Sequence, residues 1–187
     1  FDADYRVALK LFIAEEGRHA RILGRMVAAL GGRVLTRQWS ELVFVHLRRA
    51  FGVRFKLVVL QAAEVIGIGF YGLLAAALPA GKMADALRQI CGDETAHLKF
   101  HRDFFGSQQG LIGRVLSAIW WPIGTAAAVT VLWDHRRTLK AFGIPLRVAW
   151  KALWARIVEA GSRLEDSEVV PMHRFVEALP AERRLDL

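Results

Sequence analysis

The stretch LKLFIAEEGRHARILGRMVAAL, from Leu9 to Leu30, decides the fold. Its apolar residues recur at alternating steps of four and three, which places them along one face of an α-helix. Glu16 and His19 fall within that apolar face although both are polar. The complete stripe consists of Tyr5, Leu9, Phe12, Glu16, His19, Leu23, Met26 and Leu30. The first helix is therefore predicted to direct a carboxylate and an imidazole into the core.

A later helix repeats this pattern. Moving the chain by 78 positions superimposes Glu16 on Glu94 and His19 on His97, and neighbouring apolar positions coincide as well. The second stripe consists of Met83, Leu87, Ile90, Glu94, His97, His101 and Phe104. The two helices therefore look like copies of one unit related by an internal pseudo-two-fold axis.

Between the copies lies a helix whose apolar face carries one charged group, Glu64. From Leu57 to Ala80 the only other ionisable side chain is that of Tyr71. A buried carboxylate that is charged and unpaired costs several kcal/mol, so Glu64 must be protonated, paired with a cation or bound to a metal. A metal pair would satisfy all three helices, because Glu at position i and His at i+3 share one helix face.

Two E-x-x-H motifs with a lone Glu on the helix between them resemble the ferritin-like di-metal carboxylate superfamily, which includes acyl desaturases, demethoxyubiquinone hydroxylase and N-oxygenases. The resemblance covers about residues 4–105. It implies a ferritin-like four-helix bundle in which the motif glutamates bridge two metal ions, each motif histidine binds one ion and the lone Glu is a terminal ligand. The ligands so implied are Glu16, His19, Glu64, Glu94 and His97.

The resemblance also concerns the residue before each motif. Glu15 and Asp93 occupy places where members of the superfamily carry an acid that holds the histidine of the opposite helix. The superfamily has a further helix, with another Glu, before the first motif, and this sequence does not include it. The sixth ligand is expected from an upstream helix, from another chain or from His101, which is otherwise a core histidine or a supporting group.

Two further residues lie on the Glu64 face. Tyr71 could donate a hydrogen bond or an electron near a reactive oxygen species, although such a tyrosine is more often part of the core. Gly67 would leave space for dioxygen or substrate, or else allow close helix packing.

The whole sequence is predicted to be all-α, with helices over about residues 4–30, 38–78 (broken near Gly52), 82–105, 111–133 and 145–164. We expect Gly31 to cap the first helix and the last twenty or so residues to form a polar tail. This organisation predicts a metal-binding bundle over 1–106 and additional C-terminal helices over 107–187, packed on the bundle or on a membrane surface.

Composition limits the partners. Net charge is +8 and 54% of residues are hydrophobic. No nucleic-acid-binding motif is found, while residues 115–133 lack charge, contain tryptophans and are followed by basic residues. A cytoplasmic protein is expected, and the single Cys91 fits a reducing compartment. The apolar C-terminal segment is expected to lie at the inner face of a membrane, or else to form a hydrophobic oligomer interface, such as that of a homodimer, or a substrate channel.

By the resemblance, the protein is expected to be an oxidoreductase. Two iron ions, or an Mn/Fe or Mn/Mn pair, would activate dioxygen to oxidise a hydrophobic or aromatic small molecule, with an electron donor as partner. The alternatives are an iron-storage or peroxide-scavenging protein of the ferritin or rubrerythrin type, and a non-enzymatic helical protein with a polar core.

Overall fold

The computed structural model describes residues 3–36, 38–50, 52–106 and 110–165, and all regular structure within these ranges is helical. The predicted all-α class is confirmed. The predicted polar tail lies outside the described residues. The helices are α1 (Ala3–Ala29), α2 (Trp39–Ala50), α3 (Val53–Ala77), α4 (Lys82–Gly106), α5 (Gly110–Asp134), α6 (Arg136–Ala141) and α7 (Leu146–Glu165).

The end of α1 follows from its glycines. Gly31 has a φ of 76°, a left-handed conformation that favours glycine, and its N–H donates to Ala28 O at 3.0 Å. The Gly32 N–H donates to Val27 O at 2.9 Å, so two carbonyls at the helix end are satisfied. The predicted glycine cap is confirmed.

The second predicted helical stretch is two helices, because the chain breaks at Gly52 between α2 and α3. The basic connection after residue 133 is itself helical and forms α6. Pro122 lies inside α5, which continues through it.

The centre of the described structure is α3, which packs against α4, α5 and α7. The apolar core includes Val65 of α3, Trp120 of α5 and Leu153 of α7, and Trp120 Nε1 donates to Ile157 O at 3.1 Å. The domain boundary at residue 106 stays a prediction, but this core includes residues from both sides of it.

At the margin of the bundle, α1 packs against α4 and α2 packs against α3. Apolar side chains of α1 such as Leu9 and Ile13 are solvent-exposed. The helix that supplies the first E-x-x-H motif is thus covered on one side only.

Within the residues that the structure describes, two helices have the length and hydropathy to cross a bilayer: α3 and the Leu111–Asp134 part of α5. They differ in how much protein surrounds them, since the most apolar window is 61% buried in α3 but 28% buried in α5. The burial of the α3 window is typical of a helix in the core of a protein. The apolar surface of α5 is largely uncovered.

Candidate metal centre

Three helices bring four ligand-type side chains together. One donor atom from each of Glu16 on α1, Glu64 on α3, and Glu94 and His97 on α4 lies within 4.8 Å of the others. We call Glu16, Glu64 and Glu94 the carboxylate cluster. All but Glu16 are buried. Residues up to 81 positions apart in the sequence therefore form one group that could hold a metal ion.

His19, the fifth predicted ligand, borders the same group. Its Nδ1 lies 3.0 Å from Glu94 Oε1 and 3.7 Å from Glu16 Oε1. The side chain of His19 is buried, because α4 covers this face of α1. The structure thus brings all five predicted ligands together.

The second imidazole approaches the carboxylate cluster with the same nitrogen. His97 Nδ1 lies 2.8 Å from Glu94 Oε2, 3.2 Å from Glu16 Oε1 and 3.6 Å from Glu64 Oε2. Glu94 therefore lies between the two histidines and contacts both. The motifs of α1 and α4 thus each direct a histidine Nδ1 at the carboxylate cluster.

Behind each imidazole lies an acid from the other motif helix. His19 Nε2 lies 3.1 Å from Asp93 Oδ2, and His97 Nε2 lies 3.1 Å from Glu15 Oε2. When Nε2 donates its proton to such an acid, Nδ1 presents a lone pair to the carboxylate cluster. The structure therefore places Glu15 and Asp93 in the crossed positions that the resemblance implied.

The carboxylates alter the basicity of both imidazoles. Burial alone lowers the pKa of each histidine, but hydrogen bonds to the surrounding carboxylates outweigh it. The pKa is raised to about 10 for His19 and to about 11 for His97. Both side chains lie in a strongly negative environment that favours a cation.

The carboxylates differ from one another. Burial raises the pKa of Glu64 well above its ordinary value, and the hydrogen bond from His97 offsets this only in part. Burial also acts to raise the pKa of Glu94, but hydrogen bonds from His19 and His97 lower it well below the ordinary value. Glu94 is thus the carboxylate most strongly stabilised as an anion.

The donor set fits a metal ion. Neutral imidazoles held through Nε2 would direct their lone pairs at carboxylate oxygens about 3 Å away, which is repulsive unless a cation lies between them. A second proton on each ring or a bound metal ion removes the repulsion. Carboxylate and imidazole together suit iron, manganese or zinc, so the cluster can bind metal without fixing its identity or number.

His101, the proposed substitute ligand, lies outside the four-residue group. It is fully buried one turn beyond His97, and its ring meets the ring of Phe12 edge to face at 5.7 Å. Burial and the nearby His97 lower the pKa of His101 to about 3, which favours the neutral imidazole. Direct ligation by His101 stays a prediction.

Tyr71 and Gly67 lie next to each other on α3. A Cβ on Gly67 would lie 3.5 Å from Tyr71 Cε2, so the tyrosine ring occupies the space beside this glycine. Burial and the negative charge of Glu94, Glu16 and Glu64 raise the pKa of Tyr71 to about 12, which keeps the phenol protonated near the cluster. The space expected beside Gly67 is thus partly filled by that ring.

The sequence interpretation missed Arg18, whose Nη2 contacts Asp93 Oδ2. Asp93 is consequently held by two neighbours on α1, Arg18 and His19. Position 96, the counterpart of Arg18 in the 78-residue repeat, is Ala. This difference between the two copies of the repeat could have identified Arg18, because a basic residue beside a ligand-type histidine can pair with an acid on the facing helix.

Comparison of the chain with protein-family models, curated proteins and solved structures finds no match. The case for the metal centre therefore depends on the residues and distances described above.

Proposed function

We propose that this protein is a ferritin-like di-iron oxidoreductase that uses dioxygen to oxidise a hydrophobic or aromatic small molecule. One observation carries the proposal. The Nδ1 atoms of His19 and His97 converge on the carboxylate cluster, while an acid of the opposite helix holds each Nε2. A polar core formed only by pairing would not require both rings to present the same nitrogen.

In this proposal Glu94 and Glu16 would each help to hold both ions, because each lies near both imidazoles. Glu64 binds as a terminal carboxylate on the α3 side. When bound, the iron pair supplies the electrons that reduce dioxygen. The protein orients the imidazoles through Glu15 and Asp93 and shields Glu64 and Glu94 from bulk water.

The surroundings support oxidation of an apolar molecule over iron storage. Storage needs a route from the site to a mineral-filled cavity within a large oligomer. Here α3, which carries Glu64, is covered on its other faces by apolar side chains of α5 and α7. The Glu16 side of the cluster is the more open side, since that side chain is 43% exposed. Dioxygen and substrate would enter from there.

The test begins with metal content. Chain reconstituted anaerobically with ferrous iron is expected to retain about two ions per chain after desalting. On exposure to air it should consume dioxygen in a single turnover. A Glu94→Ala variant should lose both the iron and the dioxygen consumption, while a Glu41→Ala variant, altered at an exposed position on α2, should retain both.

Three results would contradict the proposal in different ways. If the wild-type protein binds no transition metal, the site is a polar core in which protonated imidazoles balance the charge of the carboxylates. Bound metal without dioxygen consumption would exclude the oxidase. A large hollow oligomer that accumulates mineral, or rapid turnover of peroxide in place of dioxygen, would assign the protein to iron storage or peroxide scavenging.

A further inference from the structure

The outer face of α5 is apolar from one end of the helix to the other. Seven of its exposed positions, all of them apolar, follow steps of four and three, so they form a single stripe along the helix. We call this stripe the α5 face, and it consists of Leu111, Val115, Ala118, Pro122, Ala126, Val129 and Trp133. At 1.5 Å per residue it is about 33 Å long. A stripe of this length is unusual on a surface that meets only water.

The opposite side of α5 is packed on protein. Leu116, Trp120 and Leu132 are buried against α3 and α7 in the apolar core. Only one side of the helix therefore needs a partner, and that side runs the full length of the helix. This geometry suits a helix lying along a surface better than one that crosses a bilayer, which would be surrounded by lipid or protein at every level.

The α5 face continues onto α7 through aromatic contacts. The ring of Trp121 lies 6.1 Å from that of Trp154, which stacks on Trp150 at 5.7 Å. Trp121, Trp133 and Trp154 are all partly solvent-exposed. Tryptophan is enriched at the boundary between water and lipid because its ring is apolar and its N–H is polar.

Basic residues border this apolar and aromatic surface. Arg136, Arg137 and Lys140 on α6 line an open groove together with residues 143–146. The Arg136 guanidinium lies 4.4 Å from the centre of the Trp133 ring, so the groove begins where the α5 face ends. Residues 110–151 contain six Lys and Arg residues and one acid, Asp134. Asp134 accepts hydrogen bonds from Trp39 and Ser40 of α2.

From this combination we propose that the α5 face and the α6 groove dock the protein on an anionic phospholipid surface. The apolar stripe enters the boundary between headgroups and acyl chains, and the groove cations bind lipid phosphates. A second copy of the chain is a poorer partner, because it carries the same net charge of +8 and offers the groove cations no excess of negative charge. The proposal does not depend on the metal centre.

The test measures binding of the purified full chain to vesicles by flotation. Binding is expected to vesicles of 70% phosphatidylcholine and 30% phosphatidylglycerol, to weaken at high salt, and to be much lower on phosphatidylcholine alone. Replacement of Arg136, Arg137 and Lys140 by Ser should lower the partition coefficient about 100-fold, since each basic residue near an anionic surface contributes about 5-fold. Val129→Ser should lower it roughly 10-fold.

The matched control replaces Arg6, Lys10 and Arg25 by Ser. These exposed residues of α1 carry the same total charge, and the control should leave binding nearly unchanged. Quenching of tryptophan fluorescence by brominated lipid supplies a second readout, and a Trp133→Phe variant should lose part of that quenching.

Four outcomes would overturn the proposal. They are equal losses from the two triple variants, binding that resists alkaline carbonate extraction as a spanning helix does, a vesicle-independent dimer that buries Trp133, and an absence of binding to anionic vesicles.

Discussion

The helices α1 and α4 carry the same ligand motif in different surroundings. Leu87 of α4 is 2% exposed, whereas its counterpart Leu9 of α1 is 37% exposed. The same contrast holds for the glutamates of the two motifs, since the Glu94 side chain is 7% exposed and that of Glu16 is 43% exposed. Sequence spacing thus determines which side chains face the centre, while packing determines how rigidly they are held. The repeat provides two similar half-sites, one enclosed and one open.

The largest expected difference between the halves concerns metal affinity. Glu94→Ala should weaken metal binding well beyond the roughly 100-fold that loss of a supporting group costs, because Glu94 contacts both imidazoles and is buried. Glu16→Ala should weaken it less, because water can take the place of this exposed carboxylate. Competition with a chelator of known affinity measures both constants. Equal losses would remove the distinction between the halves.

The superimposed leucines test the packing directly. Leu87→Ala should lower the free energy of unfolding by about 3 kcal/mol, because it leaves a cavity in the core. Leu9→Ala should lower it by less than about 1 kcal/mol, because this side chain is already partly in water. Urea unfolding of the two variants measures the difference. A loss at Leu9 as large as that at Leu87 would show that α1 is covered by a further partner in solution.

The acids behind the histidines should have equal effects, because both imidazole–acid distances are 3.1 Å. Asp93→Ala and Glu15→Ala should each weaken metal binding about 10- to 100-fold. Asp85→Ala, an exposed change on α4, serves as the control and should leave affinity unaltered. Calorimetric titration with ferrous or manganous ion provides the measurement. A tenfold greater loss in one variant than in the other would contradict the crossed arrangement.

The smallest expected effect concerns Arg18, which exists in the α1 half alone. Arg18→Ala should weaken metal binding by up to about 5-fold, since a partly exposed ion pair is worth at most about 1 kcal/mol. Arg21→Ala, at an exposed position one turn further along α1, should have no effect. The same titration detects the change. If Arg18→Ala exceeds Asp93→Ala in its effect, Arg18 does not act through Asp93.

Much of this architecture could be predicted from the sequence, because its signals are local. The glycine at position 31 ends α1, the break at Gly52 separates α2 from α3, and the apolar stripes of α1, α3 and α4 turn five ligand-type residues inward. The surroundings of α5 could not be predicted. Residues 115–133 of this helix carry no charge on any side. The composition therefore does not distinguish the side of Trp120, which packs in the core, from the side that is exposed.

Nonlocal contacts account for the remaining differences. The ring of Tyr71 lies beside Gly67 and reduces the space that the glycine alone would leave. His101 shares the stripe of His97, yet it is one turn too far along α4 to join the four-residue group. Helical periodicity gives the direction of a side chain but not its distance from a centre formed by three helices.

The crossed pairing of acids and histidines has a consequence for the stage of folding at which a metal site could form. A chain segment containing only α1 or only α4 would present a complete E-x-x-H motif, but its histidine would lack the acid that fixes the reactive nitrogen. During synthesis, neither helix alone would therefore have both its histidine and the acid that orients that histidine. Under the proposed function, loading of the ions would follow the docking of both helices, and the unfinished chain would be protected from oxidation by its own cofactor.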